Sequence, residues 1–355
     1  MRRAELDFDR PRALQATGPP ERRGLERDEV RLLVTTGRGH EHARFRDLPR
    51  FLAPGTLLVV NTSATLPASL PAWHAGLGPL VVNVSTDYGG GLYLMEPRRS
   101  SAEPGPLPLE VGDPLEIAEV AARLVAPHPG LPRLWFVRVG DDESDLRRAM
   151  ERAGTPIRYG YLEPPYPPLA AYQTLFARVP GSAEMASAAR PFTPRVVDAL
   201  QARGIALAGV TLHAGVSSHE LDADEVEEQV LYAEPFTVPE RTAEAVTAAR
   251  REGRPVIAVG TTVVRALESA WDGEQVRAAA GFTRLLIHPG RPVQSVDGLI
   301  TGLHDPLASH LAMLYAIAPR ELVRDGYAEA VREGYLWHEF GDSHLLLASP
   351  SPGRV

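Results

Sequence analysis

The chain has 355 residues, with 37 basic against 45 acidic side chains and a formal net charge of −8. It contains no cysteine and its basic residues are all arginine, which excludes disulfides, thiolate nucleophiles, cysteine-ligated metals and every lysine-dependent chemistry. The acidic balance confines any nucleic-acid contact to a local patch.

The length suggests two domains at roughly 100–200 residues each. No apolar run approaches the ~18 residues of a membrane helix. The opening MRRAELDFDRPRAL lacks the apolar segment of a signal peptide, so no membrane partner and a cytoplasmic location are expected.

In chain order, residues 30–34 (VRLLV) predict a short strand, followed by a loop carrying Gly37, Gly39, His40 and His42. Residues 56–61 (TLLVVN) predict a buried strand. Between 67 and 148, short β-like runs recur at 80–84, 92–95, 114–117, 121–125 and 134–139, separated by Gly and Pro turns. Strands at that spacing without a long helix predict a small barrel or sandwich. After residue 190, strands and helices alternate. Thr193-Pro194 starts a helix that Gly204 stops, and 205–213 predicts a strand. Thr237 with Glu240 suggests a capping box. A strand at 255–259, a helix at 263–271, a strand at 282–287, a helix at 306–318 and a strand pair from Leu336 complete the pattern, and 349–355 (SPSPGRV) predicts a disordered tail. The fold class expected is α/β: a layered core from residues 1–66 and 149–355, interrupted by a β-barrel domain at 67–148.

Four motifs carry candidate chemistry. In 255–268 (PVIAVGTTVVRALE), a buried strand enters Gly260, Thr261 and Thr262 and then a helix. Free N–H groups at such a helix start, with two hydroxyls, suit a carboxylate or other polar ligand group. Arg265 and Glu268, three apart, pair with each other or face the ligand. His213 closes an apolar strand, where an imidazole binds ligand, transfers a proton or simply serves the structure. In 302–306 (GLHDP), Asp305 reads as a helix cap. His304 and His310 lie six apart, which does not stack them on one helix face, so zinc is discounted and no metal is expected. In 340–344 (FGDSH), Asp342 follows a glycine and either enters a site or makes a turn. Of the arginine pairs, Arg98-Arg99 sits between barrel strands where an RNA phosphate would dock.

Blocks in a fixed order extend these motifs: FRDLPRFLAPGTLLVVNTSATLPASL (45–70), YQTLFARVPGSAE (172–184), VTLHAG (210–215), VIAVGTTVVRALE (256–268), HPGRPVQSVDGLITGLHDP (288–306) and FGDSHLLL (340–347). Together they resemble the S-adenosylmethionine:tRNA ribosyltransferase-isomerases of queuosine biosynthesis. The resemblance implies an α/β sandwich with an inserted β-barrel. It also implies S-adenosylmethionine as co-substrate and ribosyl donor, a base that removes the C5′ proton, and tRNA-borne aminomethyl-deazaguanine or a related acceptor. The implied reaction forms an epoxycyclopentane and releases adenine and methionine. Glu234, His213 and His304 are its base or acid candidates. Gly260, Thr261, Thr262, Arg265, Glu268, Tyr172, Gln173 and Asp342 are its substrate-binding candidates. Arg265→Ala is expected to weaken donor binding with the fold intact.

The chain departs from the family pattern at 61–69, 188–193, 228–234 and 301–306, where an acidic residue, arginines, histidines and an asparagine are replaced. A divergent paralog that binds a nucleoside or S-adenosylmethionine without turnover is one alternative, and an RNA-binding protein is the other.

Overall fold

The computed structural model describes residues 1–140, 143–216 and 221–347. Its centre is a nine-stranded mixed sheet. Four adjacent strands run parallel: Ala206–Leu212, Leu57–Asn61, Val256–Val259 and Gly298–Gly302. The sheet continues through Ser343–Leu347 and Arg31–Thr36 to the edge strand Gly39–Arg44. On the other side it continues antiparallel through Glu234–Val238 to the edge strand Ala279–Thr283. The central strands are apolar without alternation, as expected where both faces are covered; Val256–Val259 is buried at every residue. One face is packed by the helices Glu240–Arg251 and Thr261–Ser269, with Val263, Val264 and Leu267 fully buried. The other carries Pro194–Ala202 and the aromatic pair Phe45 and Phe192, 5.0 Å apart.

Six antiparallel strands between Ser69 and Val139 close into a barrel with its own core of Leu70, Val82, Met95, Ile117 and Val137. The strand Ser69–His74, which carries Pro71, has no counterpart in the runs predicted from sequence. The helix Glu143–Ala153 crosses residue 148 and lays Leu146 and Met150 against the barrel core.

The α/β core and the inserted barrel are as expected, and several local expectations are corrected. The loop at 37–42 lies largely within the edge strand Gly39–Arg44, whose polar side chains include His40, bonded to the Thr35 hydroxyl, and His42, bonded to Tyr335 and Glu329. Thr237 lies within a strand, and the next helix starts after Pro239 with no capping box. The strand expected at 282–287 is Ala279–Thr283. The helix expected from Pro306 is Ser309–Ile317, and Asp305 instead pairs with Arg10 and His338. The pair expected from Leu336 is one strand, Ser343–Leu347, between two others. The Thr193 hydroxyl donates to Asp28 rather than capping its helix. The tail expected at 349–355 lies outside the described residues. Among the described residues no helix is long and apolar enough to cross a membrane.

Candidate active site

The four parallel strands all end at one rim of the sheet, where open α/β sheets hold their ligands. Their carboxyl ends deliver Asn61, His213, Gly260 and the Thr301–His304 segment. Gly260 makes the strand-to-helix turn at φ +100°, a conformation that disfavours any side chain. Its N–H donates to Ile300 O at 2.8 Å, tying the turn to the neighbouring strand. Asn61 braces the rim: its Nδ2 donates to Leu212 O at 2.9 Å and to the Thr262 hydroxyl at 3.1 Å. Its Oδ1 accepts the N–H groups of Ser63 and Leu212.

A cavity of about 270 Å³ opens above this rim, lined by Glu234, Gly260, Thr261, Thr262, Arg265 and His304 among others. Six of the sequence candidates thus share one space. Glu234 and Arg265 form a buried ion pair. Glu234 Oε1 also accepts the Gly215 N–H at 2.8 Å, and Arg265 Nε donates to Leu285 O at 3.0 Å. The expected Arg265–Glu268 pair is absent. Glu268 points away, accepting the N–H groups of Gln294 and Ser295 and the Ser295 hydroxyl at 2.6–2.8 Å. Because Arg265 pairs with a buried carboxylate, Arg265→Ala is expected to cost stability as well as to alter the site.

His304 lines another part of the cavity. Its Nε2 is 2.8 Å from the Thr301 hydroxyl, and its ring stacks on His310 at 4.5 Å and 7°. The two histidines meet because His304 precedes the helix that carries His310, an arrangement helical spacing cannot foresee. Burial, reinforced by His310 and His344, holds the His304 imidazole well below its ordinary pKa, so it is neutral near pH 7. Among the described residues no group of three or more His, Cys, Asp or Glu side chains is placed to hold a metal ion.

Sequence reasoning missed the third wall. Tyr159 and Tyr161 stack at 5.4 Å, and Tyr161 stacks on His338 at 4.5 Å. Three carboxyl groups border them: Glu184, which hydrogen-bonds Tyr159; Glu339, which accepts the Tyr161 hydroxyl; and Asp305, 2.7 Å from His338 Nε2. Burial pushes the Glu339 carboxyl up. Burial would also raise Asp305, but His338 and Arg10 hold it below the usual carboxylate range. Two tyrosines in RYGY, inside the proline-rich segment 155–168, were the available signal.

The remaining candidates lie elsewhere. Tyr172 is buried against Phe340, with ring centroids 5.3 Å apart. Gln173 exchanges two hydrogen bonds with the Thr65 backbone, at 3.1 and 2.7 Å. Asp342 accepts the N–H groups of Arg31 and Leu336 at 2.7 and 2.8 Å, which fixes the start of its strand. His213 faces a different cavity, at the barrel junction.

Residues 3–346 match the family described as queuosine biosynthesis protein. The chain is 40% identical over 351 residues to the S-adenosylmethionine:tRNA ribosyltransferase-isomerase of Rubrobacter xylanophilus, covering 98% of each chain. It is 37% identical over 346 residues to the enzyme of that name from Thermus thermophilus, covering 93% of this chain and 97% of the relative. The crystal structure of a Thermotoga maritima S-adenosylmethionine tRNA ribosyltransferase, 26% identical, superposes with a TM-score of 0.54 over 97% of this chain and 100% of that one. By sequence over almost its whole length and by fold, the chain belongs to the queuosine biosynthesis protein family.

Proposed function

We propose that the chain is a cytoplasmic transferase that uses S-adenosylmethionine as ribosyl donor, releasing adenine and methionine, with an amine carried by RNA as acceptor. The observation that carries this reading is the single cavity that gathers the Gly260–Thr262 turn, the Glu234–Arg265 pair and neutral His304 from separate parts of the chain. The names of its relatives supply the reaction.

Within that reading each wall has a task. The N–H groups and hydroxyls of Thr261 and Thr262 receive the donor's carboxylate or ribose oxygens. Arg265 pairs with Glu234, and Glu234 fixes the Gly215 backbone, so the pair orients this part of the cavity. His304 is the proton acceptor, because its imidazole lines the cavity while Glu234 is already engaged by Arg265 and the Gly215 N–H. The Tyr159–Tyr161 face with Glu184 and Glu339 suits a cation, which is what a sulfonium or an amine presents.

His304→Gln tests the assignment. Calorimetry with S-adenosylmethionine should give an affinity close to wild type, while adenine release falls about 100-fold or more. Release at the wild-type rate would remove His304 from the chemistry.

A further inference from the structure

A second cavity, of about 380 Å³, lies where the barrel meets the edge of the sheet; His213 lines it, while the next residue, Ala214, lines the first. His213 sits at its base. The ring is held so closely against Gly181 that a Cβ there would fall 2.5 Å from His213 Cε1. Its Nδ1 is 2.7 Å from Ser63 Oγ, which is 2.6 Å from Ser182 Oγ, which accepts the Ala214 N–H at 3.0 Å. One orientation gives every hydrogen of this chain an acceptor: Ser182 donates to Ser63, and Ser63 donates to Nδ1. The reverse leaves the Ser182 hydrogen without an acceptor among the described residues. The wiring favours the Nε2–H tautomer of His213, whose ring lines the cavity.

The walls are aromatic and the rim is basic. Tyr88 lines the cavity, with Phe282 5.4 Å away and Phe136 5.9 Å away. Phe282 is 51% exposed on the edge strand, unusual for so large an apolar side chain. Arg147 lines the mouth, and exposed Arg284 acts electrostatically on Tyr88. Asp87 is occupied in its own turn, accepting the Gly89 N–H at 2.8 Å. By contrast, Arg98 and Arg99, the sequence candidates for phosphate, are engaged: Arg98 on buried Glu96 at 2.9 Å, Arg99 on Leu77 O at 3.2 Å.

We infer that this second cavity receives an unpaired nucleobase of an RNA loop: His213 Nε2–H donates to an acceptor on the base, Phe282 and Tyr88 stack a neighbouring base, and Arg147 and Arg284 meet the phosphates. Stacking platforms flanked by arginine are how proteins hold single-stranded segments, and a local basic rim suffices in a chain that is acidic overall. The inference rests on the ribosyl-transfer reading for the choice of RNA; the geometry itself asks for an unpaired base.

Fluorescence anisotropy of the full chain, without S-adenosylmethionine, tests it. The probes are a labelled RNA hairpin with an unpaired loop and a blunt RNA duplex of equal length. The hairpin should bind more tightly than the duplex, and Phe282→Ala should weaken the hairpin about tenfold or more while leaving the duplex unchanged. Phe282 is exposed, so the variant should keep its melting temperature. Arg284→Ala should lower affinity and reduce the salt dependence. Equal affinity for hairpin and duplex, no effect of Phe282→Ala, or no RNA binding would each overturn the inference. Hairpin binding through Phe282 with no adenine release would sustain it while defeating the donor reading.

Discussion

Glu234 and Arg265 reach the cavity floor from a strand and a helix and meet there in a buried ion pair whose carboxylate also accepts the Gly215 N–H at 2.8 Å. Removing one partner strands the other charge out of water. Arg265→Ala should therefore lower the unfolding free energy by about 3 kcal/mol, and adding Glu234→Gln should recover part of that loss. Urea denaturation of the two single variants and the double variant measures the coupling. Additive losses would mean the pair contributes nothing as a pair.

Glu268 has the opposite character. Its carboxylate holds the backbone at Gln294 and Ser295 and does not line the cavity. Glu268→Gln should lower stability by about 1–2 kcal/mol and leave the calorimetric affinity for S-adenosylmethionine within about twofold of wild type. A loss of affinity at unchanged stability would return Glu268 to the donor site.

Stability should fall with acid below neutrality. His344 is fully buried, 2.8 Å from the Thr35 hydroxyl, and burial brings its pKa down to about 3. Unfolded histidine titrates near 6.5. The unfolded chain therefore binds more protons below that value, and stability present above it is lost as pH drops toward 3. The loss between pH 7 and pH 5 is about 2 kcal/mol from His344, and His304 adds in the same direction. Urea midpoints at the two pH values should show the drop, and His344→Asn should flatten it. An unchanged slope in that variant would assign the acid sensitivity elsewhere.

Gly181 is a packing test of the barrel junction. A methyl group there would meet the His213 ring at under 3 Å, so Gly181→Ala must displace either the ring or the segment. A loss of about 1–3 kcal/mol is expected. An unaltered melting temperature would show that His213 is looser than its Ser63 contact implies.

The layered core was legible because its strands are continuous apolar runs bounded by Gly and Pro, as in 56–61 and 255–259, and the barrel because its strands are short and evenly spaced. The Gly260–Thr262 turn was legible for the same local reason. Gly39–Arg44 was not, because an edge strand needs no apolar face and this one reads as polar. Nor was the stack of His304 on His310, because His304 lies before the helix that carries His310 and no helical spacing relates them; nor was the wall that brings Tyr159 and Tyr161 against His338 and Glu339, two segments far apart in sequence. Glu268 and Asp342 sit in motif blocks yet serve the backbone, because a buried carboxylate that accepts several N–H groups stabilises a turn as readily as it binds a ligand.

Donor cleavage in the rim cavity leaves free adenine as its signature. Purified protein incubated with S-adenosylmethionine and with tRNA bearing aminomethyl-deazaguanine, followed for adenine by mass spectrometry, tests it most directly. Adenine should appear above a no-enzyme blank, depend on the acceptor RNA and be lost in His304→Gln. Absence of adenine from the wild-type reaction with that tRNA would contradict it.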